Sequence, residues 1–357
     1  MPRIRDAAAW VVGAALWAVA GPASAADFDI DKVVQAIRAP KPGLVLLSAR
    51  QGLWGEAAPN TVQAIDAAVQ AGLESVQVDV RLNGSGTPWL LRDYVLDRLT
   101  DRTGYLSAWR DASLRLLVFA HGSTGGAGRL STFEEALDYY ARRMTVSDGR
   151  LGGFVLVADM KGAAPSDPSA SKVSAYEALK ASCRLLAAKA RDTGKPLGRG
   201  VIFKLDGEDL PAPSDLEADL AEAGCFDDLR LMIDLPLKPE AARAFREYYG
   251  KPYAAAFAPA IEYVGQPPLD AWIHQLQSDG RTVPGLVGGN EYPEGVAGPD
   301  GLCCGYRNTD PDRGRPDYSG SFLFHLQLGA NWLIADDAPF LNEYLAARGL
   351  RDLARIR

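Results

Sequence analysis

The 357-residue chain has the composition of a soluble globular protein, with 47% hydrophobic and 23% charged residues. Its formal net charge of −7 argues against a general nucleic-acid binder or a binder of anionic membranes, because such proteins need a basic surface. The expected partners are therefore small molecules, and nothing in the sequence points to a protein partner.

The N-terminus has the pattern of a signal peptide. Arg3 and Arg5 precede an apolar run from Ala7 to Ala20, and Ala23-Ser24-Ala25 is the small-x-small sequence that a signal peptidase accepts. A membrane anchor, the alternative, needs roughly 20 apolar residues, and neither this run nor a later one reaches that length. We therefore expect cleavage near Ala25, no membrane span, and a mature protein that is periplasmic or secreted.

Beyond this segment, short apolar runs alternate with helical patterns. The clearest helices are predicted at residues 60–72, 132–143, 175–194 and 239–250, where apolar residues recur at helical spacing between capping residues. Eight runs are predicted as strands: GLVLLSAR (43–50), SVQVDV (75–80), PWLLRD (88–93), GFVLVADMKG (153–162), GVIFKLDG (200–207), LRLMIDLP (229–236), TVPGLVGG (282–289) and NWLIADD (331–337).

These runs are continuously apolar rather than alternating, which is typical of buried parallel strands. Eight such strands joined by helices fit a closed (β/α)₈ TIM barrel better than an open sheet. The segment at about 104–153 is longer than a usual crossover and contains the Gly-rich piece HGSTGGAG, which predicts a small insertion over the C-terminal mouth of the barrel. We expect a signal peptide at 1–25 and one barrel domain at 26–357.

The chain has four cysteines, which could form disulfides in an oxidising compartment. They are Cys183, Cys225, Cys303 and Cys304. Their spacing does not suggest zinc, and an exported location favours disulfides. Cys183 with Cys225 is the pairing we favour, because a bridge between adjacent cysteines is strained. Two or more free buried thiols remain the alternative.

In a TIM barrel the functional site lies where the strands end, and polar residues gather at those positions here. Asp79 and Asp159 are oxygen ligands that could share a hard divalent cation. Basic side chains could neutralise a phosphate at the same place, which points to metal-assisted phosphate chemistry. The residues at the strand ends are Arg50, Gln77, Asp79, Arg92, Asp93, Asp159, Lys161, Lys204, Asp234, Asn290, Glu291 and Asp336.

The stretches LSARQG, APNTVQAIDAAVQAGLESVQVDV and PWLLRDYVLDRLTDRTG together resemble the glycerophosphodiester phosphodiesterase family of the PLC-like phosphodiesterases. That family has the pattern HRG, ENT, ELDV and HDxxLxRxTxxTG. The later segments STFEEAL, VADMKG, GRTVPGLVGGNE and LGANWLIADDAP are similar to its later motifs, so the resemblance spans roughly residues 44–345. It implies a (β/α)₈ barrel with an inserted domain that hydrolyses glycerophosphodiesters to glycerol phosphate and an alcohol.

The resemblance also implies a catalytic set that this chain departs from. The two histidines that serve the family as general acid and base fall at Ala49 and Arg92, neither of which exchanges a proton near neutral pH. The metal ligands fall at Gln77, Asp79 and Asp159, so one carboxylate becomes an amide and another is shortened. We therefore expect affinity for Ca²⁺ or Mg²⁺ to be weakened or lost.

No other histidine is an obvious substitute. His121 lies in the Gly-rich piece and is expected to be a solvated loop residue, although such a loop could also lower an imidazole into the mouth. His274 and His325 lie in predicted helices and are expected to be surface or packing residues.

Two functional hypotheses follow. In the first, the protein is a degenerate enzyme that binds a phosphorylated or anionic small molecule, or a lipid head group, through Arg50, Arg92, Lys161 and Lys204. In the second, it is an active metal-dependent phosphodiesterase with a non-standard acid or base. The absence of both histidines favours the first hypothesis, and the retained Asp79, Asp159 and Lys161 favour the second.

Overall fold

Strands and helices alternate along the computed structural model, which describes residues 27–54, 57–119, 128–260, 266–287 and 320–357. The strands, in chain order, are β1 (Phe28–Asp29), β2 (Leu46–Arg50), β3 (Ser75–Leu82), β4 (Pro88–Leu90), β5 (Thr145–Ser147), β6 (Arg150–Gly153), β7 (Val155–Met160), β8 (Val201–Asp206), β9 (Leu231–Leu235), β10 (Ala254–Pro259), β11 (Pro284–Val287) and β12 (Trp332–Ala335). The helices are α1 (Ile30–Arg38), α2 (Val62–Gln70), α3 (Asp111–Leu114), α4 (Phe133–Arg143), α5 (Ala175–Thr193), α6 (Pro213–Ala223), α7 (Pro239–Tyr248), α8 (Pro267–Ser278), α9 (Phe322–Gln327) and α10 (Ala338–Ala346).

Eight parallel strands form a nearly closed barrel wall. The hydrogen-bonded order is β10, β9, β8, β7, β3, β2, β12 and β11, so the last strand of the chain, β12, pairs with the first wall strand, β2. The two end strands, β10 and β11, lie beside each other and close the circle without a ladder of their own in the described part of the chain. The predicted TIM barrel is confirmed.

One of the eight predicted strands is present but is not a wall strand, and one wall strand was missed. The segment 88–93 contains only the short strand β4, which pairs antiparallel with β3 and is not part of the parallel wall. The missing strand is β10, in the sequence AAAFAP. Alanine has high helix propensity, and this segment lacks the β-branched residues that indicate a strand. Its burial in the wall nevertheless decides its conformation.

The predicted helices are present as α2, α4, α5 and α7. α4 begins with a capping box, in which the Thr132 hydroxyl accepts from the Glu135 N–H and the Glu135 carboxylate accepts from the Thr132 N–H. α5 begins after Ser174, which caps the Glu177 N–H, and ends at Gly194. Gly194 has φ +65°, a conformation that glycine adopts without strain.

Residues 89–130 contain a second, smaller hydrophobic cluster, which includes the buried Trp89, Leu96, Leu106 and Phe119. Within the predicted insertion at about 104–153, α4 packs against α2 and α5, and β5 and β6 form a three-stranded antiparallel sheet with β1. Most of the Gly-rich piece lies outside the described residues. The boundaries of the insertion and of the signal peptide stay a prediction.

A buried ion pair ties the end of the chain to the barrel at the N-terminal end of its strands. The Arg351 guanidinium donates to both Glu74 carboxylate oxygens at 2.7 and 2.8 Å, and the Leu47 N–H donates to the same carboxylate at 2.6 Å. Glu74 stands immediately before β3, so this contact lies at the opposite end of the barrel from the predicted site.

A disulfide joins Cys183 of α5 to Cys225, which follows α6, and this confirms the favoured pairing. Cys303 and Cys304 lie outside the described residues. In the part of the chain that the structure describes, no helix is long and apolar enough to cross a membrane.

Candidate functional site

The register of the parallel strands brings the predicted site residues together. Asp79 of β3 pairs in register with Asp159 of β7, and Asp159 pairs with Lys204 of β8. Arg50, the last residue of β2, pairs with Gln77, whose side chain lies on the same face of β3 as that of Asp79 because side chains alternate along a strand. Four neighbouring strands thus present polar side chains at one edge of the barrel.

Asp159 is the centre of this cluster. Its Oδ2 atom accepts from the Lys161 ammonium at 2.9 Å, from the Lys204 ammonium at 2.9 Å and from the Gln77 amide at 3.3 Å. Lys204 also lies 2.5 Å from Asp234 Oδ2. The side chains of Asp159 and Lys204 are each only 3% exposed, whereas that of Lys161 is 27% exposed. One buried carboxylate oxygen therefore holds two ammonium groups.

The charges of this cluster stabilise one another. Burial by itself raises the pKa of Asp159, but Lys161 and Lys204 outweigh burial and hold that pKa below its ordinary value. Burial likewise opposes the charged form of Lys204, yet Asp159 and Asp234 outweigh it and raise the pKa of Lys204. Asp234 has only Lys204 as a counter-charge in its cluster, and burial followed by Asp206 raises its pKa to about 6.

Asp79 lies beside this cluster and is fully buried. Its Oδ2 atom accepts from the Asn60 side-chain amide at 3.0 Å, and its N–H donates to the Asn60 side-chain oxygen at 2.8 Å. Within the described structure, Asp79 Oδ1 and the Gln77 side-chain oxygen have no hydrogen-bond partner. Burial raises the pKa of Asp79 even though Lys161 and Arg50 act in the opposite direction.

Asn60 is a site residue that sequence reasoning missed. The Asn-Thr pair before α2 was interpreted as a helix cap, and Thr61 does cap the Ala64 N–H. Asn60 instead adopts φ +56° and turns its amide towards β3, where it binds Asp79 through both of its polar atoms. Asparagine tolerates positive φ better than most residues, and this preference was the available signal.

Arg50 is held by a carboxylate. Its guanidinium donates to both oxygens of Asp336 at 3.0 Å, and the two side chains are 3% and 5% exposed. The indole N–H of Trp54 lies 3.4 Å from the same carboxylate. This ion pair joins the end of β2 to Asp336, the residue that follows β12.

The loop that carries Arg92 is fixed at both ends. The Leu91 N–H donates to the Asp79 carbonyl at 3.0 Å, and Arg81 Nε donates to the Arg92 carbonyl at 2.7 Å. Asp93 is fully buried and accepts two hydrogen bonds from Arg98, at 2.7 and 3.1 Å. These contacts hold the backbone of half-buried Arg92 beside β3.

The described residues do not fit a divalent cation. Among them, no group of three His, Cys, Asp or Glu side chains is arranged to hold a metal ion. Asp159, which would be a central ligand, is occupied by two ammonium groups. A hard cation needs several anionic oxygens directed at one point, and here the negative charge of Asp159 is already neutralised by Lys161 and Lys204.

The positions expected to carry acid–base chemistry contain none in the described structure. Ala49 is completely buried in β2 between Val76 and Ala335 of the neighbouring strands. His274 is exposed on α8, and His325 is buried on α9 beside Phe324, so both are the surface and packing histidines that were predicted. His121, Asn290 and Glu291 lie outside the described residues.

Fold and site together define a (β/α)₈ barrel with a charged cluster at the C-terminal ends of its strands. Residues 51–161 match the model of the "Glycerophosphoryl diester phosphodiesterase family". This match agrees with the resemblance seen in the sequence. The matched segment includes Gln77, Asp79, Arg92, Asp159 and Lys161.

The similarity to other proteins extends over most of the chain. An uncharacterized protein, y4eD, from Sinorhizobium fredii is 28% identical over 351 residues, which cover 89% of this chain and 88% of that protein. A glycerophosphoryl diester phosphodiesterase from Parabacteroides distasonis has a similar fold, with a TM-score of 0.57, 14% identity and coverage of 90% and 95% of the two chains. An Oleispira antarctica phosphodiesterase, solved with the product sn-glycerol-3-phosphate, has a TM-score of 0.53 and 15% identity, with coverage of 85% and 97%.

Proposed function

We propose that this protein is a degenerate glycerophosphodiester phosphodiesterase. It binds a phosphorylated or otherwise anionic small molecule, or a lipid head group, at the barrel mouth without cleaving it and without a divalent cation. The observation that carries the proposal is the pair of ammonium groups on Asp159 Oδ2, one of which, Lys161, is partly exposed. A phosphate that approaches Lys161 meets a fixed cation whose carboxylate partner is shared with Lys204.

The absence of catalysis follows from residue chemistry. Hydrolysis of a phosphodiester needs a proton donor for the leaving oxygen and a base for the nucleophile, and Ala49 has no titratable group. Arg92 stays protonated at every physiological pH, so it binds an anion but does not shuttle a proton. The site is therefore suited to bind an anion but not to hydrolyse a phosphodiester.

The four basic residues have different parts in this proposal. Lys204 and Arg50 are buried and hold carboxylates, so they build the floor of the mouth. Lys161 and Arg92 are more accessible and are the residues we expect to contact the ligand. The glycerol phosphate bound to the Oleispira antarctica barrel is a ligand of the class proposed for this site.

Export is part of the same proposal. The signal-peptide pattern at residues 1–25 directs the chain across the inner membrane. The disulfide between Cys183 and Cys225 supports this location, because such bonds persist in oxidising compartments. A periplasmic fraction that contains the processed protein would agree with export, whereas an unprocessed cytoplasmic protein would contradict it.

Calorimetric titration of sn-glycerol 3-phosphate in the presence of a chelator tests ligand binding. We expect binding by the wild type, and a roughly 10- to 150-fold weaker affinity for Arg92→Ala, because a charge-assisted hydrogen bond contributes about 1.5–3 kcal/mol. The matched control is Arg129→Ala, since Arg129 is 53% exposed and pairs with Glu135 of α4. Binding that requires a divalent cation, or equal affinities of Arg92→Ala and wild type, would contradict the proposal.

The alternative is an active metal-dependent phosphodiesterase with a non-standard acid or base. One observation favours it: Asp79 Oδ1 and the Gln77 side-chain oxygen are buried acceptors without a hydrogen-bond partner in the described structure. Oxygen atoms of this kind are suitable ligands for Ca²⁺ or Mg²⁺. Metal-dependent turnover by the purified wild type would establish this alternative.

A further inference from the structure

We infer that the Lys204 ammonium is a built-in replacement for a divalent cation and excludes Ca²⁺ and Mg²⁺ from the barrel mouth. This inference concerns the selectivity of the pocket towards cations. It holds whether or not the mouth binds a phosphorylated ligand, and its test uses the metal alone.

The geometry around Lys204 is that of a cation site. Its Nζ atom lies 2.9 Å from Asp159 Oδ2 and 2.5 Å from Asp234 Oδ2, so one point in space is within bonding distance of two carboxylates from two strands. Ca²⁺ binds oxygen at about 2.3–2.6 Å, a range that includes the distance to Asp234 and is slightly shorter than the distance to Asp159. The ammonium group thus occupies the point at which a metal ion would find two anionic oxygens.

Two further oxygen atoms that could bind a metal, one from an amide and one from a carboxylate, lie nearby. The side-chain oxygen of Gln77 and Oδ1 of Asp79 are buried on the same face of β3, and neither has a hydrogen-bond partner in the described structure. Gln77 is already attached to Asp159 Oδ2 through its amide nitrogen, so its side chain belongs to the same cluster. The pocket therefore retains oxygen ligands for a metal, but its carboxylates Asp159 and Asp234 are bound to the Lys204 ammonium.

Lys204 prevents metal binding in two ways. First, it fills the space between Asp159 and Asp234, and its own burial leaves no room for a second cation there. Second, a fixed positive charge in a low-dielectric pocket repels a divalent ion strongly. Lys161 adds to this repulsion, because its ammonium is held on the same oxygen of Asp159.

Removal of Lys204 should convert the pocket into a metal site. In Lys204→Ala, Asp159 and Asp234 lose their shared counter-charge and a space opens between them. We expect this variant to bind Ca²⁺, with a heat signal in calorimetry and a rise in melting temperature when Ca²⁺ is added. The metal-stripped wild type should show neither effect.

Three further variants make the experiment specific. Lys251→Ala removes a lysine that pairs with Glu217 on the surface and should behave as the wild type does. Lys204→Ala combined with Asp159→Asn should lose the gain of Ca²⁺ binding, because one of the two carboxylates is gone. Lys204→Arg keeps the positive charge and should not bind Ca²⁺.

Two results would overturn the inference. The first is Ca²⁺ or Mg²⁺ binding by the metal-stripped wild type, a measurement that needs no variant. The second is the failure of both Lys204→Ala and a second small variant, Lys204→Ser, to bind Ca²⁺ when they are folded. If Lys204→Ala unfolds without metal, Ca²⁺-dependent refolding of that variant supports the inference, and refolding that is indifferent to Ca²⁺ contradicts it.

Discussion

Lys204 and Asp159 form an ion pair of 2.9 Å in which both side chains are almost completely buried. Removal of one partner from such a pair leaves an uncompensated charge in the protein interior, which typically costs about 3–5 kcal/mol. The remaining contacts of the cluster depend on the same carboxylate, because Lys161 and Gln77 bind the same oxygen. Asp159 is therefore the structural centre of the cluster.

Asp159→Asn should lower the free energy of unfolding by about 3–5 kcal/mol, because two ammonium groups would then share a neutral amide. Urea denaturation measures this loss. The matched control is Glu217→Gln, which weakens a surface ion pair with Lys251 and should have little effect on stability. Equal effects of the two substitutions would show that the charge of Asp159 is not needed.

Reduction of the disulfide between Cys183 and Cys225 should destabilise the barrel without changing its fold. The bond closes a loop with a sequence separation of 42, for which chain entropy predicts about 4 kcal/mol. Denaturation with and without a reducing agent measures the difference. The double variant Cys183→Ser/Cys225→Ser should have the same stability with and without the reducing agent. A loss of stability of this variant on reduction would show that the effect does not come from this disulfide.

Asp209, in the loop after β8, should make stability depend on pH. Burial, followed by repulsion from Asp206 and Glu208, raises the pKa of Asp209 to about 6. Between about pH 4 and pH 6 the folded state therefore holds a proton that the unfolded state has lost, and stability falls as the pH rises through this window. Asp209→Asn should remove this loss of stability at higher pH, which is at most about 3 kcal/mol and is reduced by solvent screening.

Asp111 provides a control of opposite sign. Burial alone would raise the pKa of Asp111, but hydrogen bonds from Thr87, Trp89 and Asn83 hold that pKa below its ordinary value. Its contribution to stability is present above about pH 4 and is lost only when the pH falls further. If Asp209 is the titrating group, the melting temperatures of Asp209→Asn and wild type should differ most at pH 7 and converge as the pH falls to 5. The Asp111→Asn difference from wild type should stay constant over that range.

The barrel could be predicted from the sequence because its wall strands, apart from β10, are continuously apolar. The cluster on Asp159 could be predicted only as a set of residues at strand ends. Which of them pair depends on the strand register, and the register places the Lys204 ammonium between Asp159 and Asp234. Asn60 was missed because its role depends on a local positive φ and on a contact with a strand 19 residues away.

Restoration of the two histidines should not restore hydrolysis. An imidazole at position 49 would enter a fully buried site packed for alanine, and overpacking of this kind costs about 1–3 kcal/mol. Asp159 would also remain occupied by Lys161 and Lys204. We expect Ala49→His/Arg92→His to release no glycerol phosphate from glycerophosphocholine, and activity above that of the wild type would show that the rest of the catalytic site is intact.

The most direct test of the central claim is the hydrolysis of glycerophosphocholine by purified wild-type protein, with chelator and with added Ca²⁺ or Mg²⁺. Loss of general acid–base assistance alone lowers a rate by about 10²- to 10⁴-fold, and exclusion of the metal lowers it further. We predict no release of glycerol phosphate above the background in either condition. Turnover that appears when the divalent cation is added would contradict the account and would identify the protein as an active phosphodiesterase.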